Sequence, residues 1–155
     1  MNKVKMLLVF LLLAFNLVGQ AEEQLKTMEP VVIEVYRSPS CGCCSKWLGH
    51  LKENQFIVKD HVTDDVKTIK DKYGVPEKLE SCHTALVNGY VIEGHVPASD
   101  IKKLLKLKPA VIGISVPGMP VGTPGMDMGG RKDAYKVISF DKDKQNKVFS
   151  RYEGN

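Results

Sequence analysis

The thiols of this chain are gathered at two points. Cys41, Cys43 and Cys44 stand together in Ser38-Pro39-Ser40-Cys41-Gly42-Cys43-Cys44, and Cys82 directly precedes His83. Three thiols in four residues exceed what a simple redox pair needs. Thiolates are soft ligands that favour Cu(I), Zn(II) or iron–sulfur centres. Cys41-x-x-Cys44 is also the pattern of dithiol oxidoreductases. The choice is therefore metal, electrons or both. Four cysteines allow three disulfide pairings, and spacing alone does not select one. A scaffold of two stabilising disulfides is the purely structural alternative. The crowding of three cysteines, two of them adjacent, argues against it.

The position of Cys41 adds to its chemistry. A helix is expected from about Cys41 to Asn54, and unpaired N–H groups at a helix start stabilise a thiolate. Cys44 follows one turn on, and Cys43 faces elsewhere but within reach of a metal cluster. Cys82 and His83 would contribute a thiolate and an imidazole from a second segment. Met119, Met126 and Met128 fall in a Gly- and Pro-rich stretch, Ala110 to Gly130. Thioethers suit Cu(I), while methionine also serves as an adaptable filler. The glycines and prolines would let this stretch fold back over the cysteines. His95 stands open between a structural role and a ligand. His50 and His61 read as surface residues, and Trp47 as core.

Around these residues the elements can be read from periodicity. Val31-Val32-Ile33-Glu34-Val35-Tyr36 is a buried strand, and Phe56 to His61 a second one. The first helix would turn Cys44, Trp47, Leu48 and Leu51 inward. Thr63-Asp64-Asp65 caps another helix with Val66, Ile69 and Tyr73 inward, stopped by Gly74 and Pro76. Thr84 to Ile92 is a hairpin turning on Asn88-Gly89. A helix then begins at Ala98-Ser99-Asp100, carries Ile101, Leu104 and Leu105, and ends before Pro109. Tyr135 to Phe140 and Val148 to Tyr152 form a closing hairpin, with no strand expected between Ala110 and Gly130.

The 155-residue chain fits a single domain behind a removable leader. Lys3 and Lys5 form a basic start, Met6 to Val18 is nearly all apolar, and Gly19-Gln20-Ala21 supplies small residues at a cleavage site. The apolar run is shorter than the about 20 residues a membrane span needs. Residues 1–21 therefore read as a signal peptide, 22–30 as a flexible leader, and 31–155 as one domain exported to the periplasm. Losing Lys3 and Lys5 lowers the formal charge from +4 to +2, too weak a bias for nucleic acid.

Several of these motifs together resemble a known family. They are Ser-Pro-Ser-Cys-Gly-Cys-Cys at 38–44, Ser81-Cys82-His83-Thr84-Ala85, Gly89 to Pro97, and Val116-Pro117-Gly118-Met119-Pro120-Val121-Gly122. In this order they are similar to the CopG-type family of periplasmic, thioredoxin-like proteins tied to bacterial copper resistance, long described as a domain of unknown function. The resemblance spans roughly residues 31–152. It implies an α/β, thioredoxin-like fold: a central mixed sheet flanked by helices, with a Gly/Pro/Met-rich loop and a C-terminal hairpin added. Aligning Asn88-Gly89 with the hairpin turn of glutaredoxins puts their cis-proline position near His83, so Cys82 would lie beside the first cluster.

The function expected is copper binding for resistance or homeostasis. Cu(I) would be held by Cys41, Cys43, Cys44, Cys82 and His83, with Met119 and Met126 as further donors. Four bridging thiolates leave a multinuclear cluster open, as are copper redox activity and transfer to an export or oxidase system. The alternative is a thiol–disulfide oxidoreductase with Cys41 attacking and Cys44 resolving. A structural zinc site is a third reading. The extra thiol at Cys43, the missing proline before the hairpin and the methionine loop favour copper.

Overall fold

Strand β1 (Val31–Arg37) ends where the cysteine-bearing turn begins, and helix α1 (Gly42–Glu53) leads back along the sheet. The computed structural model describes residues 30–143 and 145–155; the signal segment and nearly all of the leader lie outside the described residues. After α1 come β2 (Phe56–Val62), α2 (Val66–Lys72), a 3-10 turn (Glu77–Leu79), β3 (His83–Val87), β4 (Tyr90–Glu93), α3 (Ala98–Leu107), β5 (Gly113–Ser115), β6 (Tyr135–Phe140) and β7 (Asn146–Tyr152). Val31–Asn155 form one compact unit. Among the described residues no helix is long and apolar enough to cross a membrane.

The strands form one mixed sheet in the order β2-β1-β3-β4-β5-β6-β7. β1 runs parallel to β2 and antiparallel to β3, and β4 runs parallel to β5. Alternation gives the sheet two apolar faces. Ile33, Val35, Ile92 and Val137 pack with Trp47, Leu51, Ile101 and Leu104 of α1 and α3. Val91 and Phe140 pack with Val75 and Leu79 in a smaller cluster. The four buried residues of α1 are the expected Cys44, Trp47, Leu48 and Leu51.

Two local expectations are corrected. β5 lies within the stretch read as loop, because three residues are too few to show alternation and its order comes from pairing with β4 and β6. In α2 the side chain buried beside Val66 is Lys70, whereas Ile69 and Tyr73 are only half-buried. A lysine one turn after an apolar residue can occupy an inward stripe when an acid waits beneath it. Here that acid is Glu93.

Candidate metal centre

The first cluster is built by a tight turn. The Ser40 N–H donates to Ser38 Oγ at 3.3 Å, and the Cys41 N–H donates to the Ser38 carbonyl at 3.2 Å. This places Cys41 at the cap position of α1, with no side-chain cap bond and no acidic residue in the first turn. Cys41 and Cys44, one helical turn apart, are joined as a disulfide, leaving Cys43 and Cys82 as free thiols. Cys43 Sγ lies 3.5 Å from Cys41 Sγ.

Sheet register brings the second cluster alongside. His83 opens β3 and pairs with Arg37, the last residue of β1. Cys82 therefore emerges next to the turn that carries Cys41, and its Sγ lies 3.6 Å from Cys44 Sγ. The four sulfurs all fall within 4.8 Å of one another. Cys82 Sγ is also 3.2 Å from His83 Nδ1 and 3.2 Å from His95 Nε2. Cys82, His83 and His95 make a second set with ligand atoms within 4.8 Å.

His95, which the sequence left open, thus joins the site. Its Nδ1–H donates to the Pro124 carbonyl at 2.7 Å. That bond fixes the tautomer and leaves the Nε2 lone pair facing Cys82, the arrangement usual for an imidazole ligand. His83 is fully buried. Its ring lies 4.3 Å from that of Trp47 and edge-on to His95 at 5.0 Å. Its Nε2 is buried without a hydrogen-bond partner, a polar atom that a bound cation or a ring rotation would satisfy.

The Gly/Pro/Met stretch does fold back over the cysteines. Gly125 has φ +84°, and a Cβ there would come within 2.8 Å of the Trp47 nitrogen and 3.0 Å of the Cys43 carbonyl. Only glycine lets this loop rest on the first turns of α1. The contacts that reach the site run through the backbone of Pro124 and Gly125. Met126 is half-buried, while Met119 is 53% and Met128 65% exposed.

Burial works against charge on Cys82, His83 and His95. Burial, reinforced by Cys43 beside it, pushes the Cys82 thiol up to about 12. Burial likewise pulls His83 well below the ordinary histidine value, helped by His95 and Lys70, and pulls His95 down as well. A soft cation entering here would displace thiol protons and meet imidazoles already neutral. The donor set of four sulfurs and two imidazole nitrogens fits Cu(I) or Zn(II) and offers nothing to a hard cation.

Two further expectations are settled by position. His61 is exposed and stacks on Tyr36. His50 is not a free surface residue: it is half-buried, and its Nε2 accepts from the Ala98 N–H at 3.1 Å at the start of α3. Sequence reasoning missed the buried group beneath Cys82. Glu93 is fully buried, bonded to Lys70, the Ser81 N–H and the Thr84 hydroxyl. Burial pushes its carboxyl up from the ordinary range against the pull of Lys70. The available signal was a glutamate inside an otherwise apolar hairpin strand.

A family model described as a protein of unknown function, DUF411, matches residues 79–126. That segment holds Cys82, His83, His95 and most of the loop. The solved structure of copper resistance protein copG in form 1 is 48% identical, covering 81% of this chain and 100% of that one, with a TM-score of 0.78. Form 2 is 47% identical over 80% of this chain and 99% of that one, with a TM-score of 0.77. No curated protein matches the sequence.

Proposed function

The chain belongs to the family of copper resistance protein copG, and on that premise we propose that it binds Cu(I) in the periplasm as part of copper resistance. The observation that carries this reading is the convergence of four cysteine sulfurs within 4.8 Å, with His95 Nε2 turned onto Cys82 by a carbonyl on its other nitrogen. Cys41, Cys43, Cys44 and Cys82 are the primary ligands, with His83 and His95 closing the set. Four thiolates can bridge several Cu(I) ions. Met119 and Met126 lie on the loop that covers the site and would become thioether donors only if their side chains turned inward, since the loop touches the site through Pro124 and Gly125. The order strand, helix, strand, helix, hairpin, helix supports a thioredoxin-like description of the fold. The basic, apolar and small-residue succession of residues 1–21 supports export.

The disulfide gives the site a second use. Reduced Cys41 and Cys44 can pass two electrons to two Cu(II) ions, giving two Cu(I), two protons and the Cys41–Cys44 disulfide. Redox conversion and storage are then two states of one ligand set. Titration of the reduced protein with Cu(I) against a competing chelator tests the reading, with copper counted by elemental analysis. Tight Cu(I) binding is expected, and failure to compete contradicts it.

One observation favours the oxidoreductase alternative: the Cys41–Cys44 disulfide opens a helix, with the Cys82 thiol 3.6 Å from Cys44. An insulin-reduction assay separates the two. Cys43→Ser should damage copper binding and leave insulin reduction as it was. Strong reductase activity with weak copper affinity would promote the alternative.

A further inference from the structure

Beneath Cys82 and His83 lies an ion pair that the copper reading does not use. Glu93, the last residue of β4, is fully buried, and Lys70 of α2 is 5% exposed. Taking such a pair out of water costs several kcal/mol per ion, and apolar residues of similar volume are often at least as stabilising. Core packing alone therefore gives no reason for it, whereas its contacts do. Glu93 Oε1 accepts from Lys70 Nζ and from the Ser81 N–H at 2.6 Å. Glu93 Oε2 accepts from the Thr84 hydroxyl at 2.6 Å, and Lys70 Nζ also donates to Thr84 Oγ1 at 2.9 Å.

Ser81 and Thr84 are the residues on either side of the Cys82-His83 dipeptide. Antiparallel register sets Thr84 opposite Glu93, so one carboxylate reaches both. The next residue tightens the same hold. Gly94 has φ +72° and lies so close to Ser81 that a Cβ would meet the serine side chain at 2.6 Å. Its N–H donates to the His83 carbonyl at 3.0 Å.

We propose that Glu93, with Lys70 as its counter-ion, is a positioning residue that clamps Cys82-His83 at both ends and so aims the thiol and the imidazole into the metal site. This rests on the copper reading for its purpose, but the clamp itself belongs to the metal-free protein. It acts as the outer partners of metal ligands do, whose loss typically costs about 10- to 100-fold in affinity.

The test replaces the pair by apolar side chains, Glu93→Leu with Lys70→Met, which leaves no buried charge unpaired. In metal-free protein, the rate of Cys82 alkylation relative to Cys43 is followed by peptide mapping, with the thermal midpoint measured alongside. Cys82 labelling should rise by about 10-fold, and Cu(I) affinity of the reduced protein should fall by about 10- to 100-fold. Glu93→Gln with Lys70→Met keeps an acceptor for Ser81 and should recover part of both. A folded Leu/Met variant with unchanged Cys82 labelling overturns the clamp. If that variant does not fold, Thr84→Val deletes one arm only; faster Cys82 labelling supports the clamp, and unchanged labelling overturns it. A wild-type chain that fails to bind Cu(I) removes the copper reading, while Cys82 labelling still decides the clamp.

Discussion

The two halves of the site are made in opposite ways. Cys41, Cys43 and Cys44 come from one short turn and the start of one helix, and two of them are already oxidised together. Cys82, His83 and His95 come from two stretches either side of a hairpin, braced by a loop carbonyl from Pro124 and by the buried Glu93–Lys70 pair. The first half holds two of its thiols in a disulfide, so its number of free thiols depends on redox state. The second is fixed by contacts that involve no sulfur–sulfur bond. On the proposed function, the site has one variable side and one braced side.

Redox state gives the largest expected effect on that contrast. Reducing the Cys41–Cys44 disulfide doubles the free thiols at the site from Cys43 and Cys82 to all four cysteines. Copper bound per protein should therefore rise sharply between oxidised and reduced samples, as read by Cu(I) titration under anaerobic conditions. Equal stoichiometry in both states would mean that the helix cysteines are not the variable half.

Loop closure comes next. Gly125→Ala adds a Cβ where the Trp47 nitrogen stands 2.8 Å away, at a φ of +84°. The strain should cost about 1–3 kcal/mol in denaturant unfolding. It should also weaken Cu(I) binding, because Pro124 can no longer hold His95. Lost stability with unchanged copper affinity would detach the loop from the fixed half.

A smaller effect is expected from pH. Burial holds His50, His83 and His95 below the ordinary histidine value. As pH falls, the unfolded chain takes up these protons first, so stability present above about pH 6.5 declines below it. His50 lies outside both halves and accepts from the Ala98 N–H. His50→Gln keeps an acceptor there and should leave the thermal midpoint at neutral pH nearly unchanged. The decline toward about pH 5 should become shallower but persist, its remainder reporting His83 and His95 net of Glu93, whose raised carboxyl adds stability as pH falls. A variant that loses the decline altogether would show that His83 and His95 contribute nothing beyond what Glu93 offsets.

The contrast also explains what could be read from the chain. The helix half was legible because its chemistry is local: spacing alone put Cys41 at a helix start and Cys44 on the buried face. The strands were legible except for β5, whose three residues are ordered by neighbours, while their joining into one seven-stranded sheet was not. In the second half, Cys82 and His83 stood out by type, but the role of His95 depends on a carbonyl 29 residues away. Nothing beside Lys70 in the sequence marks it as buried, and only the fold sets Glu93 beneath it. Residues whose role comes from long-range pairing carry no mark in their own neighbourhood.

In the proposed function both halves hold one shared metal site. Competition titration of reduced protein with Cu(I) tests it most directly, comparing Cys82→Ser with Cys43→Ser against the wild type. Cys82→Ser should weaken Cu(I) binding at least as much as Cys43→Ser, although Cys82 is remote in sequence from the cysteine-rich turn. The same number of copper ions, bound by Cys82→Ser with wild-type affinity, would contradict it.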